Sequence, residues 1–181
     1  MLNFEKPIYK ITEYIEDKNY GKFELEPLER GFGTTLGNAL RRVMLSSMPG
    51  SAIVAVKIDG VMHEFQTIEG VVEDVTAIIL NLKGIVIKNH TEEVKKAHLS
   101  VSKEGTVTAA DIECDADVEI INKDQVIATL SKGGKLDMEF IIANGRGAVL
   151  APDNKKYIEN GAIGYIPVDA LYSPIERINF Y

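Results

Sequence analysis

Residues 25–48 read LEPLERGFGTTLGNALRRVMLSSM, and this stretch decides how the rest of the chain is interpreted. A glycine-rich turn at residues 31–33 leads into an apolar periodic segment. Thr34 or Thr35 offers a side-chain oxygen that would cap a helix beginning there. Gly37, in the first turn, costs a helix about 1 kcal/mol relative to alanine, so we expect a close approach to the backbone at this position.

The predicted helix has two different sides. At 100° per residue, one side is a continuous apolar stripe typical of a core face, and it consists of Leu36, Ala39, Leu40, Val43, Met44 and Ser47. The other side combines Asn38, Arg41, Arg42, Leu45 and Met48. Arginine beside large apolar residues is typical of a buried contact with a partner. Composition leaves a second interpretation open, in which two solvated arginines lie beside a stray leucine.

Composition and charge narrow the class of protein. The chain has 181 residues, of which 45% are hydrophobic and 26% charged, as in a soluble globular protein. Residues 1–50 hold seven basic and seven acidic groups, so the net charge of −7 lies in residues 51–172. Neither region is basic, which makes this polypeptide a poor candidate for binding nucleic-acid phosphates alone. Cys114 is the only cysteine, which excludes an internal disulfide. Without a signal-peptide core or an 18-residue apolar run, we expect a cytoplasmic protein without membrane contact.

Hydrophobic patterning predicts an α+β fold. Residues 8–15 and 20–25 read as two strands around a polar turn. Asp59-Gly60 predicts a hairpin that continues into a strand at residues 61–65.

A second helix is predicted over residues 68–83, with Thr67 as its cap and Gly84 at its end. The following sequence is β-rich, with candidate strands at 85–88, 97–101, 117–121, 126–130, 136–143 and 163–168. In the strand at 136–143 apolar and acidic residues alternate, as in a strand with one face buried, and the apolar ones are Leu136, Met138, Phe140 and Ile142. Residues 175–181 begin a further strand-like run. A complete domain seldom ends in unpartnered apolar strand sequence, so we expect a truncated fragment.

Three patterns resemble reactive sites without meeting their requirements. The turn from Gly31 to Gly37 reads G-x-G-x-x-x-G, whereas a dinucleotide site needs G-x-G-x-x-G after a strand of a βαβ unit. His63-Glu64 begins a zinc-protease pattern, but Thr67 replaces its second histidine. The acidic run at residues 111–119 lacks the glycine and glutamate of a calcium loop, so a solvated strand edge is the favoured interpretation. We predict no catalytic, cofactor-binding or metal-binding residue in this chain.

Residues 26–47 (EPLERGFGTTLGNALRRVMLSS), followed by MPG, closely resemble the N-terminal region of the bacterial RNA polymerase α-subunit family. The similarity continues in order across nearly the whole chain. It includes IDGVMHEF (58–65), EGVVEDV (69–75), LNLKG (80–84), VTAADI (107–112), GRG (145–147) and LYSPIER (171–177). Any one of these sequence blocks would be weak evidence for the resemblance, but together they are specific to the family.

The resemblance implies two subdomains. Residues 1–51 with 173–181 would form a dimerisation and assembly subdomain, incomplete at its C-terminus, and residues 52–172 an inserted, β-rich α+β subdomain. In the family, two α subunits pair, and the dimer is the platform on which two large catalytic subunits assemble. This chain would then be a non-catalytic subunit of a nucleotidyltransferase, with magnesium and zinc held by other subunits. Family members continue into a linker and a DNA-binding domain, so DNA contact would lie outside this chain.

The resemblance also implies roles for individual residues. Arg41, Arg42 and Leu45, with neighbouring Asn38, would contact one large subunit. Arg42 would be the principal charged anchor, because its planar guanidinium forms bidentate bonds that lysine cannot form.

Lys83 and Val168 match positions that the family associates with the other large subunit. The alternative for Lys83 is a helix C-terminal cation, and the alternative for Val168 is a buried strand residue.

Leu36, Leu40 and Val43 would lie in the dimer interface, partly uncovered if the chain ends at Tyr181. Two other functions remain open at this point. One is a small nucleotide-binding enzyme that uses the turn from Gly31 to Gly37, and the other is a homodimeric scaffold unrelated to transcription.

Overall fold

The computed structural model describes residues 5–159 and 162–181, which divide into two compact units. The N-terminal unit comprises the described residues up to Val43 together with Arg177–Tyr181, and the sheet unit comprises Met44–Glu176. Strands predominate over a few helices, which confirms the predicted α+β class. The subdomain roles and boundaries implied by the family resemblance stay predictions, since the two units are defined by contacts alone.

The N-terminal unit contains an antiparallel hairpin. Strand β1 (Ile8–Ile15) pairs with β2 (Tyr20–Glu26) along their whole length, with one irregularity after Ile11. The 3-10 turn Glu16–Lys18 joins the strands, and Asn19 closes it in the left-handed region at φ 50°. Asparagine tolerates that conformation better than most residues. Both strands predicted at this end of the chain are therefore confirmed.

Helix α1 (Phe32–Ser46) begins ahead of the predicted threonine caps, and none of its residues is buried. The prediction that its apolar stripe is a core face is wrong for the described residues, because Leu40 and Val43 are 46% and 55% exposed. The helical period was correct. Burial also requires a covering element, however, and the described residues cover this stripe only in part.

The sheet unit is built on a seven-stranded antiparallel sheet in the order β7-β5-β10-β3-β4-β8, with β12 also beside β3. The elements that follow α1 are β3 (Pro49–Ile58), α2 (Val75–Lys83), β4 (Ile87–Asn89), β5 (Lys95–Val101), β6 (Gly105–Thr108), β7 (Ile112–Cys114), β8 (Val118–Ile120), β9 (Val126–Leu130), β10 (Leu136–Arg146), β11 (Ala148–Val149), α3 (Ala151–Asn154), β12 (Tyr165–Pro167) and β13 (Ala170–Leu171). Residues 175–181, predicted as strand-like, form no strand.

Two hydrophobic clusters lie on opposite sides of the paired strands β3 and β10. The larger cluster takes the alternate residues of β10 that the sequence predicted to face a core, together with one side of α2, and includes Leu136, Met138, Phe140, Ile142, Val75, Ile78, Ile79 and Leu82. The smaller cluster contains Val54, Ala55, Ile141 and Tyr172. Because β3 is covered on both faces, residues 52–56 form a continuous apolar run rather than an alternating one.

Asp59-Gly60 forms a turn, but the predicted hairpin is wrong. The N–H of Val61 donates to the carbonyl oxygen of Ile58 at 3.1 Å, and Gly60 has φ 78°. Residues 61–65 form no strand, and the side-chain oxygen of Gln66 accepts two of their backbone N–H groups instead. One edge of β3 is taken by β10 and the other by β12 and β4, which leaves no edge for a hairpin partner.

Helix α2 begins at Val75, later than predicted. Its cap is Asp74 rather than Thr67, and Asp74 Oδ1 accepts the N–H of Ala77 at 2.7 Å. Gly84 ends the helix as predicted.

The segment before α2 pairs with the end of β9 and so cannot be helical. The N–H of Ser131 donates to the carbonyl oxygen of Gly70 at 2.8 Å, and the N–H of Val72 donates to that of Thr129 at 3.0 Å. Gly70 has φ 78°, which lies outside the right-handed helical region. Residues 68–74, which were predicted to be helical, therefore form a turn from Ile68 to Val71 and an isolated bridge between Val71 and Leu130.

Tyr172 packs over two glycines that face each other across the sheet. Gly50 in β3 lies opposite Gly145 in β10. A Cβ added to Gly50 would lie 1.7 Å from the carbonyl oxygen of Tyr172, and one added to Gly145 would lie 2.6 Å from its ring. Tyr172 is 3% exposed, and its N–H donates to the carbonyl oxygen of Gly147 at 2.8 Å. Both strand positions therefore require glycine for reasons of space.

Asp169 joins two helices of the sheet unit. Its Oδ1 accepts the N–H of Ala151, the first residue of α3, at 2.8 Å. Its Oδ2 lies 3.2 Å from Nζ of Lys83, the last residue of α2. The backbone hydrogen bond, followed by the interaction with Lys83, lowers the pKa of Asp169. A single carboxylate thus fixes the end of one helix to the start of another.

Gly50→Ala is expected to destabilise the sheet unit by about 3 kcal/mol, because the new methyl group would overlap a backbone oxygen. Gly33→Ala is the control, since its Cβ meets nothing within 4 Å and alanine favours the helix. Urea unfolding followed by circular dichroism measures both effects. Equal midpoints for the two variants would contradict the packing argument.

Asp169→Asn is expected to weaken the pH dependence of stability in acid. The folded pKa of Asp169 is lowered, so its contribution is present above its unfolded pKa of about 3.9 and is lost as the pH falls through the lower folded pKa. The side chain is 48% exposed, which limits the effect to about 1 kcal/mol. The difference in unfolding free energy between parent and variant should shrink from about pH 7 to about pH 2.5. If the difference in unfolding free energy stayed constant over this pH range, the ionised Asp169 would not contribute to stability as described.

Candidate functional site

One side of α1 carries the four residues predicted to contact a large partner. Asn38, Arg41, Arg42 and Leu45 are spaced at i, i+3, i+4 and i+7, which places them on one side of the helix. The first three are exposed and Leu45 is half-buried. The structure therefore presents two arginines and a partly covered leucine along one helical surface.

Arg41 also contacts the C-terminal residues of the N-terminal unit. Its Nε donates to the carbonyl oxygen of Ile178 at 3.1 Å. A Cβ added to Gly37 would lie 2.4 Å from the ring of Phe180, so the close approach predicted at this glycine is confirmed. Arg41 and Gly37 together hold residues 178–180 against α1.

The apolar side of α1 is open. Leu36 is half-buried, whereas Leu40 and Val43 are exposed. The hairpin of the same unit also exposes large apolar side chains, namely Ile8, Tyr9, Ile11, Tyr14, Tyr20 and Phe23. No described residue of the N-terminal unit is buried. Exposed apolar surface of this extent is typical of interaction sites, ligand-binding grooves or aggregation-prone surfaces.

Lys83 and Val168, predicted as a second contact, line one small depression in the sheet unit, together with Asp169 and Leu171. Val168 is 4% exposed, so its side chain is covered by its own unit. The side chain of Lys83 is 37% exposed, and Leu171 is 66% exposed. The part of this depression that a partner can reach therefore consists mainly of Lys83, Asp169 and Leu171.

Asp169 and Asn154 are parts of this site that sequence reasoning missed. Asn154 is fully buried, and its Nδ2 donates to the carbonyl oxygen of Val168 at 2.7 Å. Its side-chain oxygen has no hydrogen-bond partner among the described residues. Lys83 and Asp169 are 86 positions apart, and no periodicity or local motif connects them. Only tertiary structure could reveal this cluster.

The acidic run that resembled a metal site surrounds a lysine. Lys95 Nζ lies 3.1 Å from Asp117, 3.6 Å from Asp115 and 3.7 Å from Glu93. The hydrogen bond to Asp117 raises the pKa of Lys95. Across residues 5–159 and 162–181, no group of three or more His, Cys, Asp or Glu side chains is placed to hold a metal ion.

The glycine turn has a different setting from that of a dinucleotide site. Gly31 has φ 91°, and the N–H of Phe32 donates to the carbonyl oxygen of Glu29 at 3.0 Å. The preceding strand, β2, belongs to an antiparallel hairpin, whereas a dinucleotide fingerprint lies in a parallel βαβ unit. The turn serves as the entry to α1.

The described helices include none that is long and apolar enough to span a membrane.

Comparison with known proteins gives consistent matches along the chain. Residues 56–173 match the family model of the RNA polymerase Rpb3/RpoA insert domain. The DNA-directed RNA polymerase subunit alpha of Symbiobacterium thermophilum is 55% identical over 180 residues, and that of Moorella thermoacetica is 54% identical. The subunit of the same name from Desulfitobacterium hafniense is 53% identical.

Each alignment covers 99% of this chain and 56% of the relative, so the chain spans just over half the length of these relatives. The family match covers well over half of the chain, and the ordered motifs, the α+β fold and the identities agree with it. The chain therefore belongs to the family of bacterial RNA polymerase α subunits.

Proposed function

We propose that this protein is a homodimeric scaffold on which the two large catalytic subunits of a bacterial DNA-directed RNA polymerase assemble. The observation that carries the proposal is helix α1, which buries none of its residues and has two chemically different sides. A helix of this amphipathic character normally covers its apolar stripe. Both sides of α1 are thus available to other chains.

The apolar side fits a second copy of the same protein. Leu36, Leu40 and Val43 would pack against their equivalents, as in an isologous interface. The exposed apolar side chains of β1 and β2 would add to the apolar area that a second copy of the protein could cover. Burial of apolar surface would supply the free energy, at about 25 cal/mol per Å².

The arginine side fits a large subunit. Arg42 would form bidentate bonds with a carboxylate of the partner, and Leu45 would enter an apolar pocket beside it. Asn38 and Arg41 would flank this contact. Arg41 is already oriented by its hydrogen bond to Ile178, which reduces the entropy lost on binding.

The depression around Lys83 and Val168 would serve the other large subunit. Lys83 would contact that subunit directly. Val168, which is buried, would shape the surface through its exposed neighbour Leu171.

Nucleotidyl transfer would take place on the large subunits, and magnesium and zinc would be held by other subunits of the complex. The net charge of −7 disfavours direct contact of these residues with DNA, so a further domain of the protein would bind DNA. The protein would act in the cytoplasm. A nucleotide-binding enzyme and a scaffold unrelated to transcription are less well supported, because the family match favours neither.

Arg42→Ala is expected to weaken capture of a large subunit by about 2 kcal/mol or more, as for other buried interface arginines, while leaving the fold intact. Arg30→Ala is the matched control, because it removes the same charge from an exposed position before α1. Capture by the intact protein, followed by quantitative electrophoresis, measures the effect. If Arg42→Ala captured the large subunits as well as the parent, Arg42 would not be an anchor.

Leu40→Asp is expected to convert the intact protein from a dimer to a monomer without unfolding it, since Leu40 is 46% exposed in the single chain. Thr35→Asp, at an exposed position of the same helix, should remain dimeric. Light scattering distinguishes the two states. For the 181-residue chain alone we expect a monomer or aggregates. A dimeric Leu40→Asp variant would place the interface elsewhere.

A further inference from the structure

We propose that Asp169 is a positioning residue that orients the ammonium group of Lys83 toward the large subunit that contacts it. The inference rests on the proposed function, which places Lys83 in that contact. It goes further by assigning a role to a carboxylate and to the short helix that holds it.

The two oxygens of Asp169 have separate partners. Oδ1 accepts the N–H of Ala151 at 2.8 Å, which fixes the plane of the carboxylate. Oδ2 lies 3.2 Å from Nζ of Lys83. A lysine ammonium has three donors, so one can bind Asp169 while the others face a partner. The side chain of Lys83 is 37% exposed, which leaves its tip accessible.

The residue that precedes Asp169 is held by two hydrogen bonds. The N–H of Val168 donates to the carbonyl oxygen of Val54 in β3 at 3.0 Å. The carbonyl oxygen of Val168 accepts Nδ2 of the buried Asn154 at 2.7 Å. Because the sheet and α3 both hold this segment, the position of the carboxylate does not depend on a flexible loop.

Orientation matters because a lysine side chain is long and has many rotamers. An ammonium that is free in solution loses this freedom on binding, whereas one already held by Asp169 loses less. Asp169 therefore affects association through Lys83 and not through a contact of its own.

A double-mutant cycle in the intact protein tests this role, with Lys83→Ala, Asp169→Asn and the double variant. The dissociation constant for each purified large subunit is measured. Asp169→Asn should weaken association with one large subunit about fivefold when Lys83 is present, and should have no further effect on the Lys83→Ala background, as expected for coupled neighbours. A merely structural role would weaken association equally on both backgrounds.

Two further variants control for charge and for folding. Asp153→Asn removes the same charge from an exposed position of α3 and should leave association unchanged. Ala151→Pro removes the N–H that orients the carboxylate while keeping its charge. Proline is tolerated in the first helical turn, where residue 152 is already a proline, and the preceding Leu150 has the extended conformation that proline requires. This variant should also weaken association only when Lys83 is present.

The outcomes separate this inference from the proposed function. If Lys83→Ala weakens association but Asp169→Asn does not, or if Asp169→Asn weakens it equally without Lys83, the positioning role is overturned and the scaffold function stands. If Lys83→Ala changes neither dissociation constant, the Lys83 contact and this inference both fall, while the Arg42 contact is tested independently. The inference is supported if Asp169→Asn and Ala151→Pro both weaken association in the protein that has Lys83, and neither weakens it further in the Lys83→Ala variant.

Discussion

The pairing of β3 with β10 is the constraint on which the sheet unit depends. Its register runs from Ile58 opposite Met138 to Pro49 opposite Arg146. The two strands are buried on both faces over their central residues, so each face requires its own cover. Helix α2 covers one face, and Tyr172 closes the other over paired glycines. One pairing between segments distant in sequence thus contributes to both hydrophobic clusters.

The N-terminal unit differs from the sheet unit in how little of its surface is buried. It has regular hairpin and helical structure, yet none of its described residues is buried. A small unit buries too little apolar surface to offset the entropy of ordering its chain. This lack of burial is the reason that the α1 stripe, which looks like a core face in sequence, is proposed above as an assembly surface.

Sequence patterns predicted elements well where local and tertiary requirements agree. β1, β2 and the alternation of β10 followed from periodicity and turn residues, and Gly37 followed from its cost in a helix. The same reasoning was wrong before α2. Residues 68–74 were predicted to be helical, but Gly70 and Val72 form hydrogen bonds with the end of β9, and this non-local pairing overrides the local pattern.

The sequence by itself determined the family, the α+β class and the two sides of α1, because ordered motifs and the 3.6-residue period are local properties of the chain. Tertiary structure alone decided that the α1 stripe stays open, that Val168 is covered while Lys83 is reachable, and that Asp169 and Asn154 hold this site. Burial and ion pairing depend on which distant segments meet. Sheet register and packing determine which segments meet, and they cannot be read from the residues that lie nearby in sequence.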